Sequence, residues 1–151
     1  MTIQYDGTNL YGWQSQIKER TVQGEIESAL KKIFKNQKIN LIGSGRTDAG
    51  VHALGQVANI KLDSDMSPNE FMNAINGNIN NDINIINCEY AINDFSSRFS
   101  AIKREYKYKI SNNYSPLTRK YVWNIKENID SDKLNECAEL VLGEHDFTLL
   151  S

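Results

Sequence analysis

The chain alternates between two hydrophobic periods, and each switch of period marks a new element. Thr2–Tyr5 reads as a short strand, stopped by the turn signal Asp6-Gly7. Val22, Ile26, Ala29, Leu30 and Ile33 recur at spacings of three and four, predicting a helix over 22–34 with Thr21 as its N-cap. Ile39–Ile42 predicts a second strand. In Gln56–Leu62 a third strand alternates, with Ala58, Ile60 and Leu62 on one face and Val57, Asn59 and Lys61 on the other. Ser67-Pro68-Asn69-Glu70 opens a second helix: Ser67 caps, Pro68 suits the first helical position, and Glu70 completes a capping box. That helix is expected to bury Phe71, Ala74 and Ile75 and to reach Ile79. Strands are predicted over Ile83–Ile92, Ala101–Ser111 and Tyr121–Ile125. A last helix runs from Ser131 to Leu142, with Leu134, Cys137, Ala138 and Val141 inward and Gly143 at its stop.

The first six elements follow the order β-α-β-β-α-β. This predicts an α+β fold with a ferredoxin-like, RRM-like core, an antiparallel sheet with helices on one face, and added strands and a C-terminal helix. The helix-free face of such a sheet can carry a ligand. Residues 1–151 read as one portion of a larger architecture, with a boundary to the next domain falling within 112–151. The apolar ending Phe147-Thr148-Leu149-Leu150-Ser151 predicts another strand beginning there, and hence a longer protein.

Composition narrows the class. A chain of 151 residues with 40% hydrophobic and 24% charged residues can bury a core, which excludes low-complexity disorder. No apolar run reaches the ~20 residues of a membrane-spanning helix, and no signal peptide opens the chain. Two cysteines, Cys88 and Cys137, are too few for a disulfide scaffold and fit a reduced, cytoplasmic setting. With only two histidines beside them, no metal site is expected. The net charge of −2 conceals a strong asymmetry. Arg98, Lys103, Arg104, Lys107, Lys109, Arg119 and Lys120 crowd one stretch with Glu105 as its only acid, whereas acids dominate from Tyr121 onward. One segment is thus equipped to meet phosphates, or is simply a solvated strand face.

Two segments carry candidate chemistry. Gly43–Gly50 superficially resembles a phosphate-cradling loop, but it runs on into a strand rather than a helix, which disfavours nucleotide binding. What remains is a glycine-rich bend around Arg46, Thr47 and Asp48. Asp48 is either an ordinary turn-former or a carboxylate fixed for chemistry, with Arg46 two residues away expected to hold it ionised and oriented. His52 lacks a carboxylate partner placed by sequence, so structural packing is its simpler role. In the predicted fifth strand Lys103, Glu105, Lys107 and Lys109 face solvent. Ile102, Arg104, Tyr106, Tyr108 and Ile110 face inward, toward a cleft that would accommodate the Arg. Aromatics beside basic residues form a platform for stacking an unpaired base, or fill core edges with wet hydroxyls.

At these residues a family resemblance emerges. Gly45-Arg46-Thr47-Asp48-Ala49-Gly50-Val51-His52-Ala53, followed by Gly55-Gln56-Val57, resembles the signature of the A-type tRNA pseudouridine synthases, which act on the anticodon stem-loop. Tyr5-Asp6-Gly7-Thr8 with Gly12-Trp13-Gln14, Thr21-Val22-Gln23, Arg98-Phe99-Ser100-Ala101, Arg104-Glu105-Tyr106-Lys107-Tyr108 and Gly143-Glu144-His145-Asp146-Phe147 match further stretches in order. Ser96-Ser97 stand where relatives often carry His-Ala.

The resemblance implies an isomerase that converts uridine to pseudouridine without a cofactor. It implies Asp48 as catalytic residue, and Tyr106, Arg46 and Arg104 as substrate-binding residues. Tyr106 would stack on the target uracil, and Arg46 would meet the flipped nucleotide and a neighbouring phosphate. It further implies tRNA as partner, a homodimer in the complete protein, and a second half of similar topology that completes the cleft. The competing expectation is a non-catalytic RNA-binding module on a ferredoxin-like sheet. That reading leaves the Arg46–Asp48 bend unexplained, and Gln56–Leu62 lacks the aromatic residues of an RNA-recognition strand.

Overall fold

The structure is a computed structural model that describes residues 1–150. The chain forms two compact units, the first spanning Met1–Glu105 and the second beginning at Tyr106.

The first unit holds four strands and two helices: β1 (Thr2–Tyr5), α1 (Val22–Ile33), β2 (Ile42–Gly43), β3 (Ala53–Asn59), α2 (Pro68–Asn76) and β4 (Ile83–Asn87). Its sheet has the order β2-β3-β1-β4, and every neighbouring pair is antiparallel. Each helix therefore crosses over a strand that belongs to the other crossover. Ile3 and Tyr5 of β1 and Ile83 and Ile85 of β4 are buried, while Gln4, Asn84 and Ile86 between them are exposed. One face of the sheet thus carries the core and the other is open. Val22, Ile26, Ala29 and Leu30 of α1 and Ile75 of α2 pack on the buried face together with Trp13, Leu10 and Leu41.

The helix signals operate as local chemistry requires. Thr21 accepts from the Gly24 amide, and Ser67 and Glu70 form a reciprocal capping box. Arg20, just before α1, grips Asp82 with both terminal nitrogens at 2.6 and 2.7 Å and reaches Glu25 at 3.3 Å. The Asp82 carbonyl accepts from the Asp6 amide at 2.8 Å, so the α1 entry, the end of β1 and the start of β4 are joined.

The strands differ from the periodicity in extent. β3 spans Ala53–Asn59 instead of 56–62, since its start pairs with Tyr5 of β1 and its end, Asn59, with Ile42 of β2; β4 ends at Asn87 instead of 92, since its last partner is Thr2 of β1. β2 is two residues long because the Leu41 carbonyl is taken by the Gln23 side chain at 3.0 Å rather than by a neighbouring strand.

The chain from Ala101 onward, the last residues of the first unit and all of the second, departs furthest from expectation. The strand predicted over Ala101–Ser111 is present only as β5 (Ile110–Ser111), paired in parallel with β6 (Trp123–Asn124). Ile102, Tyr106 and Tyr108 are exposed rather than inward. Alternation specifies which way side chains would point, but a strand also needs a neighbour for its backbone, and no described strand pairs with 101–108. The last helix, α3 (Ser131–Glu139), is capped by Asp130 and buries no residue. Leu134, Cys137, Ala138 and Val141, predicted to face inward, are exposed, for no described element packs a layer against them. Gly143 follows with φ +99°, the left-handed conformation expected of a stop. Thr148–Leu150 forms a single 3-10 turn instead of a new strand, and Ser151 lies outside the described residues. Among the described residues no helix is long and apolar enough to cross a membrane, and no cluster of His, Cys, Asp and Glu could hold a metal ion.

A carboxylate on a braced turn

The bend between β2 and β3 is fastened at several points, and Asp48 itself is held through its carbonyl, which accepts from the Val51 amide at 3.2 Å. At its entry Gly43 lies directly on the Trp13 ring, where a Cβ would come within 2.5 Å of Cε2. The Ser44 amide continues the ladder to the Val57 carbonyl at 2.8 Å. Gln56 then clamps two successive residues. Its Oε1 accepts from the Ser44 hydroxyl and its Nε2 donates to the Gly45 carbonyl, both at 2.7 Å. Thr47 is held on two sides, its carbonyl accepting from the Trp13 amide at 2.9 Å and its hydroxyl lying 2.9 Å from the Tyr5 hydroxyl. At the exit Gly50, at φ +80°, donates to the Leu10 carbonyl at 3.1 Å.

Close backbone approach explains two further glycines. A Cβ on Gly12, itself at φ +81°, would stand 2.3 Å from the Thr47 carbonyl oxygen, and one on Gly7 would stand 2.1 Å from that of Val51. Only residues without a side chain let the segment 6–13 lie against the bend.

Asp48 is exposed, and its carboxylate makes no hydrogen bond or ion pair among the described residues. The expected pairing with Arg46 is absent. The two side chains lie farther apart than an ion pair, because the backbone of the bend is held by Gln56, Tyr5 and Trp13 and presents both groups to solvent separately. His52 has the carboxylate neighbour that sequence spacing did not reveal, with Nδ1 3.1 Å from Asp6 Oδ1 and also 3.1 Å from the Gly7 amide that donates to it.

Beside the bend lies a cavity of about 450 Å³. Arg46, Arg98 and Arg104 line it together with Trp13, Gln14, Gln23 and Ser44, and no acid does. Arg104 reaches the Ser44 carbonyl with Nε at 3.0 Å and Nη2 at 2.6 Å, and Nη2 also lies 3.0 Å from the Arg98 carbonyl. Ser97 anchors the same segment, donating from its hydroxyl to the Ile42 carbonyl at 2.7 Å and from its amide to Asn59 at 2.8 Å. Three of the four sequence-predicted site residues, Arg46, Asp48 and Arg104, therefore belong to the first unit, while Tyr106 opens the second with its ring exposed. Tyr5, Gly12, Trp13 and Gln56 stood among the stretches that carry the resemblance, but their role as supports of the bend was not legible there, since no local pattern distinguishes a brace from an ordinary core or strand residue.

Asp48 itself does not line this cavity, but a positively lined hollow beside the bend that carries a solvent-facing carboxylate suits a polyanionic substrate. Comparison with known proteins agrees. The family described as tRNA pseudouridine synthase matches residues 1–100. The chain is similar to tRNA pseudouridine synthase A of Brachyspira hyodysenteriae, 46% identical over 152 residues. It is also similar to the proteins of that name from Caldicellulosiruptor saccharolyticus, at 45% over 150 residues, and Parvibaculum lavamentivorans, at 40% over 151 residues. Each comparison covers 98% of this chain and 61% of the relative, so the chain spans about three fifths of the length of the relatives it matches.

Proposed function

The chain belongs to the tRNA pseudouridine synthase family, and from that premise we propose that it isomerises uridines of the tRNA anticodon stem-loop to pseudouridine, with Asp48 as the catalytic group. The observation that carries this reading is the contrast at the bend. Thr47 before Asp48 and Gly50 after it are tied to the fold, whereas the Asp48 carboxylate faces solvent with no hydrogen bond among the described residues.

The reaction breaks the N1–C1′ bond of uridine and forms C5–C1′. A proton leaves C5 and one is taken up at N1, so oxidation state is unchanged and no cofactor is required. The ionised acid can attack C6 of the uracil, attack C1′, or take a proton from the sugar, and all three routes need it held beside the nucleoside. Flipping the base out of its stack costs a few kcal/mol. Stacking on Tyr106 returns roughly 1–3 kcal/mol of this, and Arg46 and Arg104 supply positive charge for the phosphates. This reading further takes the complete protein to be a cytoplasmic homodimer that binds tRNA, residues 1–151 being its N-terminal catalytic portion.

The test is release of tritium from tRNA carrying 5-tritiated uracil. In the complete protein the wild type is expected to release it, residues 1–151 alone being expected to be weak or inactive without the second half of the cleft; Asp48→Ala is expected to lose release while keeping tRNA affinity within about threefold, since an exposed carboxylate contributes little attraction to a polyanion. Release by Asp48→Ala at a comparable rate refutes the assignment. Binding by the wild type without release would favour the non-catalytic RNA-binding module.

A further inference from the structure

We propose that Tyr5 is a positioning residue for Asp48, acting through the hydroxyl of Thr47; the inference rests on Asp48 being the reacting group. Tyr5 belongs to β1, at the centre of the sheet, and is 3% exposed. Its hydroxyl nevertheless extends to within 2.9 Å of Thr47 Oγ1, one residue before the acid. Its ring packs at 6.4 Å from that of Trp13, whose own ring supports Gly43 and whose amide holds the Thr47 carbonyl. The two buried aromatics thus support both the entry and the middle of the bend.

Thr47 is the appropriate residue to transmit this support. A β-branched side chain has few χ1 options, so fixing Oγ1 fixes the orientation of its Cα and of the peptide that leads into Asp48. The Thr47 carbonyl cannot swing the other way, because it rests against Gly12. Since the Asp48 carboxylate has no hydrogen bond of its own among the described residues, its direction is set by the backbone that carries it. Removing the hydroxyl pair would leave the core filled and the acid free to rotate away by a fraction of an ångström. A displacement of about 1 Å in a reacting group lowers rate on the order of 100-fold.

Tyr5→Phe deletes one oxygen and keeps the ring; Thr47→Val deletes the partner hydroxyl, and Thr47→Ser restores it. With the complete protein and tritiated tRNA, the expected result for Tyr5→Phe is a rate at saturating tRNA lowered by about 10- to 100-fold, with the tRNA dissociation constant within about twofold. Thr47→Val is expected to match it, the double variant to be no slower than either single one, and Thr47→Ser to recover most of the rate. A Tyr5 that only fills the core would leave the rate of Tyr5→Phe unchanged, and two independent roles would make the losses multiply; either outcome overturns the proposal. A second measurement does not depend on turnover. Hydrogen exchange at the bonded Gly50 and Val51 amides should rise about tenfold in Tyr5→Phe, and unchanged exchange likewise overturns the proposal. Absence of tritium release by the wild type, or release by Asp48→Ala, sinks the functional reading instead, and the exchange measurement then decides the Tyr5–Thr47 coupling by itself.

Discussion

Arg104 closes on the Ser44 carbonyl with two donors, Nε at 3.0 Å and Nη2 at 2.6 Å, across sixty residues of chain. The fork holds the basic segment after Ser97 against the first turn of the bend and leaves Arg104 beside Arg46 at the cavity. Lysine would keep the charge but offers a single compact donor. Arg104→Lys is therefore expected to raise hydrogen exchange at the bonded Phe99 and Ser100 amides about tenfold while leaving the salt dependence of tRNA binding unchanged. Arg104→Ala should loosen the segment equally and also lower the salt slope by about one. Hydrogen-exchange mass spectrometry and binding titrations over a salt series check both, and an Arg104→Lys variant with native exchange contradicts the fork.

Tyr106 is 65% exposed, so its ring is available to a base. If stacking is its role, Tyr106→Phe should bind and turn over tRNA almost as the wild type does. Tyr106→Ala should weaken the productive complex by about 5- to 150-fold, the equivalent of 1–3 kcal/mol. Fluorescence binding of an anticodon stem-loop together with tritium release measures both. Equal losses in the two variants would assign the effect to the hydroxyl.

Two glycines with the same backbone sign separate strain from collision. Gly50 has φ +80° and nothing within 4 Å of the place a Cβ would occupy, whereas Gly12 has φ +81° and the Thr47 carbonyl oxygen 2.3 Å from that place. Gly50→Ala should cost only the left-handed conformation, about 1 kcal/mol. Gly12→Ala should cost at least about 2 kcal/mol more, since backbone must move, and should displace the bend. Urea denaturation of the two variants is the check, and equal destabilisation would show that the segment 6–13 yields freely.

Stability should respond to acid through Asp82. The hydrogen bond from Arg20 holds the Asp82 carboxyl below the usual carboxylate range, a larger influence than the opposing burial. A depressed folded-state value means that the unfolded chain takes up the proton first. The contribution is then complete above the ordinary Asp value of about 4 and fades as pH falls through the lower folded value. Thermal melts from about pH 7 to about pH 2 should show a decline beginning at about pH 4 that is shallower in Asp82→Asn. Parallel acid limbs in the two proteins would remove the Arg20 pair from the account.

Short-range chemistry along the chain was enough to specify the helices and to single out the glycine-rich bend. Thr21, Ser67 and Glu70 act on amides within one turn, and the helical spacing of Val22, Ile26 and Leu30 needs only a core to face. Arg46, Asp48 and the glycines around them stood out through the family resemblance they carry, since by composition alone such a bend is equally an ordinary turn. Strand lengths, by contrast, came from long-range pairing, since β4 extends only as far as β1 pairs with it and β3 only as far as β1 and β2 do, and 101–108 stays irregular where no described strand lies alongside. The surroundings of the acid came from the same source. Gln56, Tyr5, Gly12 and Trp13 reach the bend from positions up to 42 residues away, and they hold Arg46 and Asp48 apart where proximity in sequence predicted a pair. Caps and helical faces depend on neighbours within a turn, whereas ladders and braces depend on groups that meet only when the chain has closed on itself.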